Sequence, residues 1–178
     1  VVVAACRAER IEGVAERIRS QGGTAIAERC DVTAEGDLER CVERTVAELG
    51  RLDYVVANAG FGVGGPFEKL SLDDYRRQLE TNLFGVLRTA RAALGALRES
   101  RGCLAIVGSV NSFLALPTVS AYCVSKFATG ALGTFANLEE AVNGEGKWMP
   151  VDDPDFVNAY PNAPTAFFQT FIRVDPER

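Results

Sequence analysis

A chain of 178 residues, 47% hydrophobic and 24% charged, has the composition of one globular domain with a substantial core. Its net charge of −5 argues against electrostatic binding to nucleic acid or an anionic membrane surface, and no apolar run approaches the roughly 20 residues that cross a bilayer, so a cytoplasmic protein is expected. The five cysteines, Cys6, Cys30, Cys41, Cys103 and Cys123, are widely spaced and the chain has no histidine, which sets aside zinc sites, disulfide frameworks and a serine-protease arrangement.

In chain order, the apolar run VVVAA at 1–5 suits a buried strand, and Ile11, Val14, Ala15 and Ile18 then recur at helical spacing over 8–20. QGG at 21–23 stops that helix; TAIAERCDV at 24–32 reads as a second strand. Thr33 is placed to cap a helix over about 34–49 with Leu38, Val42, Val46 and Leu49 inward. LDYVVANAG at 52–60 is a third strand with a small-residue turn, SLDD at 71–74 a capping box opening a long helical pattern to about 98, and CLAIVGS at 103–109 a fourth strand. A further helix contains 120–126. Strand and helix alternate and the strands are almost continuously apolar, which predicts an α/β fold with a doubly wound parallel sheet.

Ligands in such sheets bind beyond the carboxyl ends of the strands. Here those loops are 5–7, 30–32, 57–62 and 109–112, all built of small or polar residues apart from Val32 and the apolar Phe61 and Val110. Residues 1–142 form the expected nucleotide-binding and catalytic core. From 143 the character changes, with four prolines, Pro150, Pro154, Pro161 and Pro164, among Gly, Asp and Asn; 143–178 is predicted to be a long irregular segment that serves as a substrate lid, with Trp148, Phe156, Phe167, Phe168 and Phe171 as its apolar surface, or as a loosely packed tail.

The stretch SAYCVSK at 120–126 sets Tyr122 and Lys126 four apart. On a helix they share one face, so phenol and ammonium can point into one cavity. A nearby cation favours the phenolate, which is what a tyrosine needs to act as an acid or base near neutral pH. Alone, the pair also fits a half-buried aromatic beside a solvated lysine. The same holds for the other polar residues: Asn82 suits the inside of a helix, Ser109 a strand end, and Asp31 a helix start favoured by the dipole.

Taken together, NAG at 58–60, TNLFG at 81–85, GSV at 108–110 and YCVSK at 122–126 resemble the short-chain dehydrogenase/reductase family in order and spacing, with Ser109 thirteen residues before Tyr122. The resemblance covers residues 1 to about 135 and implies a Rossmann-like fold and NAD(P)-dependent hydride transfer between cofactor and a carbonyl or secondary alcohol. By this resemblance Tyr122 is the catalytic acid/base. Lys126 supports it and holds the nicotinamide ribose, Ser109 binds the reacting oxygen, and Asn82 supports a water-linked proton path. Asn58, Ala59 and Gly60 form a cofactor-edge turn, Asp31 accepts from the adenine amino group, and the neighbouring Val32 completes that loop.

The sequence departs from the family pattern twice. No T-G-x-x-x-G-x-G turn and first strand precede Val1, and no Pro-Gly strand follows the catalytic helix, so the chain is expected to be part of a longer product. The position that carries an acid in NAD-selective sites corresponds to Ala5, followed by Cys6 and Arg7. A guanidinium suits a 2′-phosphate, so NADP(H) is expected over NAD(H). Phe61, Val63, Phe113, Leu114 and Leu116 suggest a small apolar substrate, and the helices over about 71–98 and 119–135 resemble those through which the family forms homodimers or homotetramers. The alternative is a non-catalytic relative that keeps the sheet as a binding or assembly scaffold.

Overall fold

A computed structural model describes residues 1–142 and 168–173. The chain begins with strand β1 (Val2–Ala5), helix α1 (Ala8–Ser20) and strand β2 (Ile26–Arg29). β1 and β2 run parallel with Val2 opposite Ile26 and Ala5 opposite Arg29. α1 buries Ile11 and Ala15 fully and Val14 and Ile18 partly, the four positions its periodicity singles out, and ends at Gln21 before Gly22 at φ +84°, a conformation that glycine adopts without strain.

Helix α2 (Asp37–Leu49) starts three residues later than its apolar pattern suggests, after Gly36 at φ +78°. Thr33 does not cap it. Its amide and hydroxyl both donate to Asp31 Oδ1, at 2.9 and 2.7 Å, and the Ala34 amide closes a turn on the Asp31 carbonyl at 3.0 Å. An Asx-type turn thus captures the hydroxyl before the helix can use it.

Strand β3 (Tyr54–Ala57) lies parallel to β4 (Cys103–Val107), with Tyr54 opposite Cys103 and Ala57 opposite Ile106. Between them stand helix α3 (Leu72–Leu79), a π-helical segment over Glu80–Phe84, and helix α4 (Gly85–Ser100). Ser71 caps α3 as its sequence predicts: Ser71 Oγ accepts from the Asp74 amide at 3.1 Å, and the Asp74 carboxylate accepts from the Ser71 amide at 3.0 Å. The core fills the space between α4 and the β3–β4 pair, where Ala57, Val86, Ala93, Leu97, Leu104 and Ile106 are buried and Val42 of α2 packs against them.

Helix α5 (Ser120–Val142) follows β4. The last described strand, β5 (Phe168–Arg173), pairs antiparallel with β4, placing Arg173 opposite Cys103. Six residues of the segment expected to be irregular over 143–178 thus form a strand, which adds an antiparallel edge to the parallel β3–β4 pair. Phe168 and Phe171, counted with the apolar surface of a lid or a tail, belong to a strand, and aromatic residues favour the pleated surface. Trp148, Phe156 and Phe167, named with them, lie outside the described residues.

The strands group as β1–β2 and β3–β4–β5. In the doubly wound order 3-2-1-4-5-6, the two parallel pairs correspond to the 3-2 and 4-5 neighbours. Tyr54 and Val56 on β3 are 59% and 50% exposed. Among the described residues no helix is long and apolar enough to cross a membrane.

Candidate active site

Tyr122 and Lys126 occupy the first two turns of α5, and helical spacing puts them on one face. Lys126 Nζ lies 5.9 Å from the centre of the Tyr122 ring. The lysine is 8% exposed and donates to the Val107 carbonyl at the end of β4, at 2.9 Å. Burial holds its pKa below the usual lysine value. Nζ has three N–H donors, and one is used on Val107.

The Tyr122 ring is half-buried and faces the loop that follows β3, where a Cβ added to Gly62 would touch the ring at 3.5 Å. That loop is fixed by two amide side chains one helical turn apart. Asn82 Oδ1 accepts from the Phe61 amide at 3.0 Å, and Asn82 Nδ2 donates to the Phe61 carbonyl at 2.9 Å. Gln78 Nε2 donates to the same carbonyl at 2.7 Å, and Gln78 Oε1 accepts from the Val63 amide at 3.1 Å. Both side chains are sealed from solvent, Gln78 at 0% and Asn82 at 1% exposure. Asn82 Nδ2 also donates to Ser125 Oγ at 2.9 Å, and Ser125 Oγ donates to the Tyr122 carbonyl at 2.8 Å. The loop, the π-helical segment and α5 are therefore one hydrogen-bonded unit around Tyr122.

Asn82 sits in the π-helical segment, and its carbonyl accepts from Thr129 Oγ1 at 3.2 Å. Single π-helical turns inside α-helices occur often at functional sites. Sequence reasoning singled out Asn82 but missed Gln78. The available signal was a polar residue exactly one turn before Asn82 on the apolar side of the pattern.

Ser109 leaves β4 in extended conformation and caps the short 3₁₀ turn Val110–Ser112. Its hydroxyl accepts from the Asn111 amide at 3.2 Å and donates to Asn111 Oδ1 at 3.3 Å. Asn111 Nδ2 in turn donates to Cys123 Sγ at 3.3 Å, which ties the serine's turn to α5 at the residue beside Tyr122. Cys123 Sγ thus serves as an acceptor in a buried contact. Thr118, just before α5, holds φ +64°, an unusual conformation for a β-branched residue, and its carbonyl accepts from the Gly65 amide at 2.7 Å.

The loops after β1 and β2 meet at the other end of the strand edge. Cys6 Sγ donates to the Cys30 carbonyl at 3.6 Å. Hydrogen bonds from Thr33 hold the Asp31 carboxyl below the usual carboxylate range. Val32 is half-buried and packs against Gly85, where an added Cβ would come within 2.6 Å of Val32 Cγ2. Arg7 is exposed and precedes α1. Asn58, Ala59 and Gly60 are exposed, and a Cβ on Gly60 would lie 3.0 Å from Asn82 Oδ1. This turn therefore faces solvent on one side and packs at Gly60 against Asn82 on the other. Its geometry suits close approach by a flat or phosphorylated ligand.

The family model described as short chain dehydrogenase matches residues 1–144. The chain belongs to the short-chain dehydrogenase family. It is 36% identical over 149 residues to 11-beta-hydroxysteroid dehydrogenase 1A of Arabidopsis thaliana, covering 82% of this chain and 42% of the relative. It is 34% identical over 110 residues to 3-ketodihydrosphingosine reductase of Bacteroides thetaiotaomicron, covering 61% and 41%. Among solved structures, an alcohol dehydrogenase from the archaeon Thermococcus sibiricus, complexed with 5-hydroxy-NADP, superposes with a TM-score of 0.73 at 29% identity, covering 79% of this chain and 60% of that one. A short-chain type dehydrogenase/reductase from Mycobacterium marinum gives a TM-score of 0.74 at 31% identity, covering 82% and 60%. This short-chain dehydrogenase chain thus spans about two-fifths of the length of those curated relatives.

Proposed function

We propose that the protein is an oxidoreductase that interconverts a carbonyl and an alcohol using NADP(H), with Tyr122 exchanging the proton. The observation that carries this reading is the buried Lys126 ammonium 5.9 Å from the Tyr122 ring centre on one helix face. At ~6 Å and an effective dielectric of ~20, a unit charge stabilises a developing phenolate by about 3 kcal/mol. Lysine is seldom so enclosed by packing alone, and among the described residues no carboxylate forms an ion pair with this one.

The nicotinamide cofactor fits the residues present: a turn of bare backbone at Asn58, Ala59 and Gly60, an acceptor at Asp31, and two further N–H donors on Lys126 for ribose hydroxyls. When bound, it supplies or takes up the hydride at the substrate carbon. Tyr122 gives its phenolic proton to the substrate oxygen in reduction and takes it back in oxidation. The Ser109 hydroxyl releases its contact with Asn111 to donate to the same oxygen, where negative charge develops. Asn82 keeps the loop in place against the tyrosine and, through its position between Phe61 and Ser125, supports the water-linked proton path that the resemblance implies.

Phe61, Phe113, Leu114 and Leu116 stand 39%, 77%, 53% and 42% exposed on the loops that adjoin Gly62 and Ser109. Such a concentration of exposed apolar side chains marks a binding surface, and it supports an apolar substrate. The names of two relatives, a hydroxysteroid dehydrogenase and a ketodihydrosphingosine reductase, point the same way. On α4 and α5 a second apolar set, Leu94, Val124 and Phe127, together with Phe84, is more than a third exposed, which supports assembly as a homodimer or homotetramer, measurable by light scattering.

The test is NADPH oxidation, followed by absorbance, across a panel of apolar ketones and aldehydes, with Tyr122→Phe and Lys126→Ala alongside the parent. Tyr122→Phe should abolish turnover and leave NADPH affinity nearly unchanged, whereas Lys126→Ala should lower both. Turnover by Tyr122→Phe within about tenfold of the parent, roughly 1.4 kcal/mol of barrier, would remove the tyrosine from the mechanism. A parent that binds no nicotinamide nucleotide would leave the scaffold reading in its place.

A further inference from the structure

A serine hydroxyl does not aim itself: its hydrogen rotates to whichever acceptor suits it. What the Ser109 hydroxyl meets is Asn111, two residues on and 7% exposed. The Asn111 backbone amide donates to Ser109 Oγ at 3.2 Å, and Oγ lies 3.3 Å from Asn111 Oδ1. The other end of the same side chain reaches Cys123 Sγ at 3.3 Å and the Leu114 carbonyl at 3.5 Å. A carbonyl oxygen only accepts, so the group facing Leu114 must be the Nδ2 donor, and the one facing Ser109 must be Oδ1. The proton in the contact between Oγ and Oδ1 is then the serine's own. The orientation of Asn111 thus fixes that of the Ser109 hydroxyl.

Asn111 is held in turn from α5. Cys123 Sγ, 5% exposed and on the residue after Tyr122, accepts both from Asn111 Nδ2 and from the Leu116 amide, the latter at 3.5 Å. The Cys123 amide donates to the Val119 carbonyl at 2.9 Å, which seats the sulfur in the first turn of the helix. One atom of α5 therefore grips the loop after β4 at two places, Asn111 and Leu116. An apolar side chain at 111 would fill the space, but it would leave the Ser109 hydroxyl without its acceptor and Sγ without its side-chain donor.

We propose that Asn111 is a positioning residue for the carbonyl–alcohol reaction: it sets the Ser109 hydroxyl and, through Cys123, ties it to the helix that carries Tyr122. The inference rests on the reaction proposed above. Before substrate binds, the Ser109 proton is directed to Asn111 Oδ1. As negative charge develops on the substrate oxygen, the O–H turns to it, because a charged acceptor outcompetes a neutral amide. The Asn111 N–H stays on Oγ and keeps that oxygen in place. Ser109 and Tyr122 then meet one oxygen from two elements whose spacing is set by the contact between Asn111 and Cys123.

The test is a double-mutant cycle on kcat, with NADPH and the panel ketone that the parent reduces fastest, using Asn111→Ala, Ser109→Ala and the two combined. Asn111→Ala should lower kcat about ten- to hundredfold, with KM for NADPH within about twofold of the parent. In the Ser109→Ala background the same change should cost less than about threefold. Equal losses in the two backgrounds would overturn the proposal, since a residue that only fills space does not act through Ser109. Asn111→Asp keeps the shape and replaces the Nδ2 donor by a carboxylate oxygen, which a proton mends. Its kcat divided by the parent's should rise as pH falls and the carboxyl is protonated, with the titrations of Tyr122 and Lys126 cancelling in the ratio. A ratio that stays flat would sink the proposal, and this variant serves where Asn111→Ala does not fold. A third arm needs no turnover, so it separates failure of this inference from failure of the proposed reaction. Alkylation of Cys123 by iodoacetamide in the native protein, mapped by mass spectrometry, should be at least about fivefold faster in either Asn111 variant than in the parent. Protection equal to the parent's would show that Asn111 does not hold the turn to α5.

Discussion

Gln78 and Phe61 are joined at 2.7 Å by a side-chain amide, itself sealed from solvent, on a backbone carbonyl. The same glutamine takes the amide of Val63, so its two polar atoms are both engaged on the loop that faces Tyr122. Gln78→Leu keeps the bulk and removes both bonds. The Phe61 carbonyl retains Asn82, but the Val63 amide loses its partner, at a cost of about 1–3 kcal/mol. For a domain of this size that lowers Tm by roughly 3–10 °C. If the loop positions the tyrosine, turnover should fall about ten- to hundredfold with NADPH Kd little changed. Thermal denaturation and steady-state kinetics check the two halves separately, and an unaltered Tm would refute the first.

Gly85 closes the TNLFG motif for a reason of space rather than of backbone freedom. Its φ of −59° suits any residue, and alanine there would gain about 1 kcal/mol of helix propensity. The added Cβ, however, would sit 2.6 Å from Val32 Cγ2. Overpacking of this kind costs about 1–3 kcal/mol, so Gly85→Ala should be destabilising on balance. In a Val32→Ala background the same change should become neutral or stabilising. Equal effects in both backgrounds, measured by denaturant unfolding, would show that the contact does not matter.

Asp74 sets a pH dependence. Hydrogen bonds from the Ser71 hydroxyl and amide, followed by Arg77, hold its carboxyl below the usual carboxylate range. Because the folded pKa lies below the unfolded value of about 3.9, the stability it contributes is complete above that pH and is lost as pH falls through the depressed folded value. Asp74→Asn should therefore lower Tm at pH 7, and the gap to the parent should narrow below about pH 4. A gap that stays constant down to pH 2 would assign the effect to shape rather than charge.

Cofactor choice is testable at the end of β1. By the family resemblance Ala5 corresponds to the position where an acid would repel a 2′-phosphate, and the exposed Arg7 lies two residues on. A charge-assisted bond of ~1.5 to 3 kcal/mol corresponds to roughly ten- to hundredfold in affinity. Ala5→Asp with Arg7→Ala should shift the ratio of kcat/KM for NADPH over NADH downward by at least about tenfold. A parent that already prefers NADH would contradict the argument at its first step.

The elements that are local in origin could be read from the sequence. The inward pattern of α1, the capping box at Ser71 and the stop after Ser20 each depend on neighbours within a turn or two. The start of α2 could not, because the competing partner for Thr33 was a carboxylate whose orientation depends on the β2 turn. The motifs NAG, TNLFG and YCVSK pointed to one region, and the structure connects them through Asn82, Ser125 and Gly62. Gln78 escaped notice because its role is to satisfy backbone groups in a loop distant in sequence, and such pairings have no periodic signature. β5 was missed altogether, because its six residues follow a run of Pro, Gly, Asp and Asn that reads as irregular, and its pairing with β4 is a contact distant in sequence.

The π-helical segment over Glu80–Phe84 has a consequence for how this long helix can be altered. One residue more than an α-turn requires is accommodated there, and a residue in an α-helix corresponds to about 100° of rotation. The N-terminal half directs Gln78 and Asn82 at the loop and α5, while the C-terminal half directs Val86, Ala93 and Leu97 at the sheet. The segment acts as a phase adjuster between two faces that a uniform helix would rotate out of alignment. Removing a single residue from it would leave a better-formed helix that can satisfy the sheet or the loop, but not both.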